Sequence, residues 1–466
     1  MRIHNLAVNS NDIVGNSAES PGAVRLDIGR IIDDGPFTRF QKTVALLAAA
    51  AVIMDGFDGQ LIGFAIPVIA QEWSVARSTF APVVAAGLLG MGIGSACAGI
   101  IGDRFGRRVA LVGSVLMFGI ATSVVGLAPN LFVIGMLRFF AGLGLGGALP
   151  TATTFVAEFA PRRRRTVAIT ATIVCVPLGG MLAGLFSGYV LPHSGWRPLF
   201  LVGGAFPVFM AILLMFNLPE SPRFLARRRE RWAELSSILG RFGVRPPAEA
   251  VYCDEAEQVR EQHYGLSSLL APDYRRDSVA LWSAFFLSML TIYSAFSWLP
   301  TMLVSSGLST AVASAGLTAY NAGGVLGALL CAMAIARYGS RIPLLLCCLA
   351  GAISALMLTQ LGFRDHSMLL IFGLGVHGLF VNAVQSTMFA LCAYVYSTSV
   401  RATGTATAAM FGRLGAVTSS FAGAAAIASL GPSGYLAMLG LTMLLVLAAL
   451  AAIRHHLPSV MDGKSH

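Results

Sequence analysis

The sequence predicts an all-α integral membrane protein with twelve spanning helices arranged as two related bundles of six. Three observations predict it. Only 12% of the 466 residues are charged and 56% are hydrophobic, whereas a soluble domain carries about 25% charged residues. Apolar runs near the ~20 residues needed to cross a bilayer occur at 43–70, 80–101, 109–128, 131–157, 166–191, 197–217, 278–304, 315–336, 342–362, 367–393, 402–430 and 434–453. The chain also resembles itself at an offset of 233 residues, half its length. The short alternating segments of a membrane β-barrel do not occur.

The first 42 residues are mostly polar and read as a cytoplasmic tail. No secretory signal is expected, because the first apolar run is too long and begins too late. That run, span 1, contains MDGFDGQ at 54–60, and so two carboxylates, Asp55 and Asp58. Their spacing puts both on one helix face. Asp55 lies twelve residues into the span, about 18 Å deep at 1.5 Å per residue, near the middle of a ~30 Å core. Insertion scales put each central aspartate at about 2.5–3.5 kcal/mol. Neighbouring carboxylates in a low dielectric resist joint ionisation, so one of them can hold a proton at neutral pH. The alternative is a structural ion pair with an arginine from another helix. Asp58 is the first candidate for the proton carrier, although the sequence barely separates the two.

Span 2 runs into the loop GIIGDRFGRR, with Asp103, Arg104 and Arg108. Span 4 carries Arg138 and ends at Glu158, just before Arg162–Arg165. Within it, GLGLGG at 142–147 satisfies the dinucleotide fingerprint, but it sits in a hydrophobic span with no preceding strand, so no nucleotide site is expected. Gly90/Gly94, Gly142/Gly146, Gly180/Gly184 and Gly323/Gly327 read instead as close helix contacts. Residues 218–277 form the one long polar stretch and predict a cytoplasmic linker with one or two short helices, between bundles at 43–217 and 278–453. Residues 454–466 are a second cytoplasmic tail.

In the second half, Arg413 lies about 17 Å into span 11 and His377 about 15 Å into span 10. A guanidinium can hold a carboxylate through two parallel hydrogen bonds, which makes Arg413 the candidate for the anionic end of a substrate. A permanent pair with Asp55 or Asp58 is the alternative. His377 could titrate near neutrality, but a hydrogen-bonded packing role is slightly preferred. Asn382, Gln385, Asn321, Tyr320, Tyr293 and Phe296 could bind a ring and its hydroxyls, or simply pack.

Charge placement sets the topology. The external side is assigned only Arg77, Arg197 and Arg364 of the 32 Lys and Arg; Arg138 and Arg413 lie inside spans, and the rest fall on the side of the tails. This positive-inside bias predicts both termini in the cytoplasm. The formal charge of +10 therefore reports topology and some anionic-lipid contact, with no nucleic-acid partner expected. The seven cysteines are scattered and read as packing residues, with no disulfide framework or metal spacing.

In the repeat, Gly90, Gly94, Arg104, Gly106 and Arg108 fall on Gly323, Gly327, Arg337, Gly339 and Arg341. Internal repeats with a site between them are a signature of secondary transporters. The copies differ where charge matters: Asp55, Asp58 and Asp103 fall on Ser288, Thr291 and Ala336.

The loop GIIGDRFGRR resembles the signature loop of the major facilitator superfamily, and RFFAG in span 4 resembles its arginine motif. Within that superfamily, DGFD, RFFAGLGLGGALP, EFAPRRRR, GWRPLFLVGG, PESPRFL and VRATGTATAAMFGRLGA resemble the aromatic acid/proton symporters. Thr151 stands where that family often has asparagine. The resemblance implies a proton-coupled importer of small aromatic carboxylates, benzoate- or hydroxybenzoate-like, in a bacterial-type inner membrane. No cofactor beyond the coupling proton and no enzymatic activity are expected, and a monomer is. It also implies that Arg138 and Glu158 matter for transport. Arg138 is assigned to proton coupling or gating, with an inter-helix structural bond as the close alternative. Asp103, Arg104, Arg108, Glu158 and Arg401 are assigned to a cytoplasmic latch, with Glu158 pairing to Arg162–Arg165, Arg104 or Arg108. The rivals are a sugar or drug carrier of the same fold and a membrane receptor that senses aromatic acids without moving them.

Overall fold

The computed structural model describes residues 25–244, 246–247, 250–254, 269–363, 365–396 and 400–457, with the side chains at 273, 393, 401 and 402 outside the description. Among these residues, eleven helices are long and apolar enough to cross a membrane. The first bundle comprises α2 (Arg39–Glu72), α3 (Ala81–Phe105), α4 (Arg107–Val125), α5 (Leu131–Phe159), α6 (Arg162–Ser194) and α7 (Trp196–Asn217). The second comprises α10 (Pro272–Ser305), α11 (Thr310–Tyr338), α12 (Arg341–Leu358), α13 (Ser367–Val395) and α14 (Arg401–Ala452). Leu46, Phe209 and Phe372 are exposed on the outside of the bundles, an arrangement that lipid rather than water satisfies.

Spans 11 and 12 of the sequence share the single element α14. Its 52 residues would measure about 78 Å as one rod, more than twice a ~30 Å hydrocarbon core. The backbone leaves helical geometry at Gly431, with φ 70° and ψ −171°. Glycine enters that region without steric cost, and Pro432 follows, which has no N–H to continue a helix.

Helix starts follow local chemistry. Thr38 and Gln41 form a reciprocal capping box before α2, and the Asn130 side chain accepts the Val133 amide at 3.0 Å before α5. Within the first bundle, α3 lies on α5 through glycines: a side chain at Gly90 or Gly94 would strike the carbonyls of Phe139 or Leu143. The second bundle repeats this contact between α11 and α13, where Gly323 and Gly327 face the carbonyls of Gly375 and Leu379.

The described residues of the tail and the linker come together in one small structure. A strand β1 (Arg25–Asp27) pairs in parallel with β2 (Val251–Cys253), and the helix α1 (Ile28–Asp34) follows, capped by Asp27. Asp33 pairs with Arg165 and, at 3.1 Å, with Arg223, which reaches Asp254 at 3.3 Å. The linker contributes the expected short helices, α8 (Pro222–Ala226) and α9 (Trp232–Arg241). A parallel pairing across more than 200 residues has no local sequence signature.

The bundles meet through α2 with α10, α6 with α11, and α3 with α14. A side chain added at Gly63 would overlap the Phe296 carbonyl, and one at Gly184 the Thr318 hydroxyl.

Candidate functional site

Of the two aspartates of α2, Asp55 faces this interface and Asp58 faces α5 inside the first bundle. Asp55 is 8% exposed and Asp58 is fully buried. The Asp58 carboxylate is 3.9 Å from Nη1 of Arg138 on α5, too far for a hydrogen bond. Both Asp58 oxygens, Arg138 Nη1 and Asp55 Oδ1 are buried without a hydrogen-bond partner. The hydroxyl of Thr122 lies beside Asp58. Charges buried this way are costly, and their survival in a spanning helix points to use rather than packing. Asp55 feels the Arg413 guanidinium across the interface and Asp58 along its own helix.

Asp55, Arg138, Gln60, Met91, Tyr293 and Phe296 line a cavity of about 60 Å³ between the bundles, room for a few waters. Arg413 Nη1 approaches Met91 Sδ at 2.7 Å and the Tyr293 hydroxyl at 3.4 Å. Gln60 and Asn321 join the bundles by a reciprocal amide pair: Gln60 Nε2 donates to Asn321 Oδ1 at 3.1 Å, and Asn321 Nδ2 donates to Gln60 Oε1 at 2.7 Å.

The structure thus brings Asp55, Asp58, Arg138, Tyr293 and Phe296 together, with Arg413 adjoining. Asn321 is nearby, but its amide is engaged by Gln60. Three of the candidate ring-binding residues, Tyr320, Asn382 and Gln385, lie off this cavity, as does His377. Tyr320 is fully buried, its ring near those of Phe296 and His377 and its hydroxyl without a partner. His377 ties α13 to α12, with Nδ1 at 3.0 Å from the Gly351 carbonyl and 3.1 Å from the Ser354 hydroxyl, which fits the packing role. Asn382 donates to the Gly378 carbonyl at 2.9 Å, and Gln385 accepts from Ser288 at 2.7 Å. Gln60, Met91 and Thr122 escaped the sequence reading. Gln60 had a signal, being a polar side chain two residues from Asp58. A methionine in an apolar span has none.

The loop 103–108 is held differently from the expectation. Glu158 bonds Arg107, at 3.2 Å, rather than Arg104, Arg108 or Arg162–Arg165, and Arg107 also reaches Asp103 at 2.7 Å. Gly106 (φ 113°) breaks the helix between α3 and α4, so Arg107 starts a new helix and turns toward α5. Arg104 lies over the Phe105 ring, and its carbonyl accepts from Arg228. The Arg108 guanidinium donates to the Met215 carbonyl. Glu220 and Ser221, from PESPRFL, complete the cluster: Glu220 Oε1 accepts the amides of Arg108 and Ser221 at 3.1 and 2.9 Å, and the Ser221 hydroxyl bonds Glu158. Burial raises the Glu220 pKa. The Arg401 side chain is outside the described residues. Among the described residues, no group of three His, Cys, Asp or Glu side chains is placed to hold a metal ion.

Two helical bundles around buried charges have the build of a membrane transporter. The chain belongs to the Major Facilitator Superfamily, whose pattern it matches over residues 48–420 and 281–462. It is 33% identical over 439 residues to the gallate transporter of Pseudomonas putida, covering 94% of this chain and 95% of that protein. It is 35% identical over 431 residues to the 4-hydroxybenzoate transporter PcaK of Acinetobacter baylyi, covering 92% and 93%. Among solved structures, the inward-open xylose transporter XylE from E. coli superposes with a TM-score of 0.68 at 19% identity, covering 89% of this chain and 97% of that one; this likeness concerns the fold.

Proposed function

We propose that the protein is a proton-coupled importer of small aromatic carboxylates, benzoate- or hydroxybenzoate-like, that works by alternating access. The observation that carries this reading is a cavity between the bundles lined by Asp55, Arg138, Tyr293 and Phe296, with Asp58 opposite Arg138 and Arg413 beside Tyr293. The relatives named for gallate and 4-hydroxybenzoate transport support the substrate class. The distribution of Lys and Arg supports an inner-membrane protein with both termini cytoplasmic.

In this reading Arg413 holds the carboxylate, and Tyr293 and Phe296 flank the ring. Asp55 and Asp58 take the proton, with Asp58 opposed to Arg138. Protonation removes the charge that faces Arg138 and loosens α2 against α5 inside the first bundle, and the bundles, 43–217 and 278–453, rock about the cavity while 218–277 tethers them. The chain acts as a monomer and needs no cofactor beyond the proton. The cluster of Asp103, Arg107 and Glu158, formed here at the cytoplasmic end of the first bundle, belongs to the latch. Because the present cavity holds only a few waters, substrate entry requires the side chains around it to part.

Counterflow in proteoliposomes tests the substrate class. Vesicles preloaded with 4-hydroxybenzoate should take up labelled 4-hydroxybenzoate, benzoate and gentisate, and exclude xylose. Counterflow of xylose with indifference to aromatic acids would overturn the reading, and no counterflow at all would indicate a receptor.

A further inference from the structure

Met91 lines the cavity and touches Arg413 of the other bundle. It belongs to α3, and its backbone is pinned on α5, where side chains at Gly142 or Gly146 would overlap it. Its thioether crosses to the other bundle, 2.7 Å from Arg413 Nη1 and 3.4 Å from the Tyr293 hydroxyl. Met91 and Tyr293 line the cavity together with Asp55 and Arg138, while Arg413 stands behind them. A ligand in the cavity therefore meets the thioether before it meets the guanidinium.

We propose that Met91 is a displaceable internal ligand of Arg413: its sulfur holds the guanidinium, until substrate arrives, in the place that the substrate carboxylate takes. The inference rests on the reading of Arg413 as the carboxylate-binding residue. A thioether is a weak, neutral acceptor. A carboxylate offers two charged oxygens in the geometry of the guanidinium fork, with hydrogen bonds roughly twice as strong. The exchange therefore runs toward substrate, yet each binding event must first break the Met91 contact. A fixed anion at this position would hold Arg413 permanently. Met91 is thus a positioning residue that sets affinity through Arg413, and its unbranched side chain can swing away while its backbone stays fixed.

Binding of 4-hydroxybenzoate to the full chain in detergent or nanodiscs tests this. Met91→Leu keeps the bulk, and such swaps are well tolerated in packed sites, but it removes the acceptor. The Kd should fall roughly three- to tenfold, the worth of one ordinary hydrogen bond. Met91→Gln supplies a stronger neutral acceptor and should raise the Kd roughly three- to tenfold on the same scale. In an Arg413→Gln background the Met91→Leu effect should vanish. A second measurement needs no variant to bind: with 13C-methyl methionine labelling, the Met91 resonance, assigned by its loss in Met91→Leu, should move on adding 4-hydroxybenzoate. An unchanged or higher Kd in Met91→Leu, or a Met91 resonance that does not move, would overturn the proposal. Wild-type binding by Arg413→Gln would instead remove the carboxylate reading beneath it.

Discussion

Asp58 and Arg138 face each other at 3.9 Å without a hydrogen bond, and this unfinished pair is the core of the coupling proposal. A completed buried pair would be a fixture. An incomplete one can be switched by a proton. Asp58→Asn mimics the protonated state, so it should keep 4-hydroxybenzoate counterflow while losing gradient-driven accumulation. Full accumulation by Asp58→Asn would remove that residue from the proton path. Arg138→Gln strands the Asp58 charge, and breaking a buried pair costs about 3 kcal/mol. Its melting temperature should fall, and Arg138→Gln/Asp58→Asn should recover most of the loss. A double variant no more stable than the single one would show that the two side chains do not interact.

The loop between α3 and α4 depends on one backbone conformation and one buried acid. Gly106 holds φ 113° and ψ 152°, and an added Cβ would strike the Glu220 carboxylate. Gly106→Ala should cost about 1–3 kcal/mol from strain alone, seen as a lower melting temperature. The Glu220 pKa lies above its ordinary 4.5 because of burial, so the folded protein disfavours the ionised form. The sign follows from linkage: stability from this group is fullest at low pH and is lost as pH rises from about 4.5 through the higher folded pKa. Glu220→Gln keeps an acceptor for the amides of Arg108 and Ser221. Its melting temperature relative to wild type should therefore improve as pH rises across that interval, and a constant difference would contradict the assignment.

These elements also mark what the sequence could express. The spanning helices were legible because lipid requires long apolar runs whatever the tertiary contacts. The break at Gly431 was legible as the boundary between two runs. Asp55, Asp58, Arg138 and Arg413 were legible because charge inside a span is rare. The partner of Glu158 was not, because Arg104, Arg107 and Arg108 share one loop, and only the turn at Gly106 decides which of them faces α5. His377, Asn382 and Gln385 have the composition of a binding face, yet the packing of α13 on α11 and α12 directs them into hydrogen bonds within their own bundle. The pairing of β1 with β2 joins distant short segments, and periodicity does not report such contacts.

At the scale of the whole molecule, the bundles touch at Gly63–Phe296, Gln60–Asn321, Gly184–Thr318 and Gly188–Ser314. Alternating access requires these contacts to open and close. A Cβ at Gly188 would lie 3.5 Å from the Ser314 Cβ, within the ~3.5–4.5 Å span of a disulfide. Gly188→Cys/Ser314→Cys should therefore cross-link on oxidation and stop counterflow, with recovery on reduction; unimpaired counterflow by the cross-linked protein would show that this contact need not open. Gln60→Ala should weaken the same closure and favour the opposite state, read as greater accessibility of a cysteine placed at Gly188. The most direct test of the central claim is uptake of labelled 4-hydroxybenzoate into proteoliposomes under an imposed pH gradient, acidic outside. The account predicts accumulation above the external concentration that collapses when a protonophore is added. Accumulation that persists after the gradient is dissipated would contradict it.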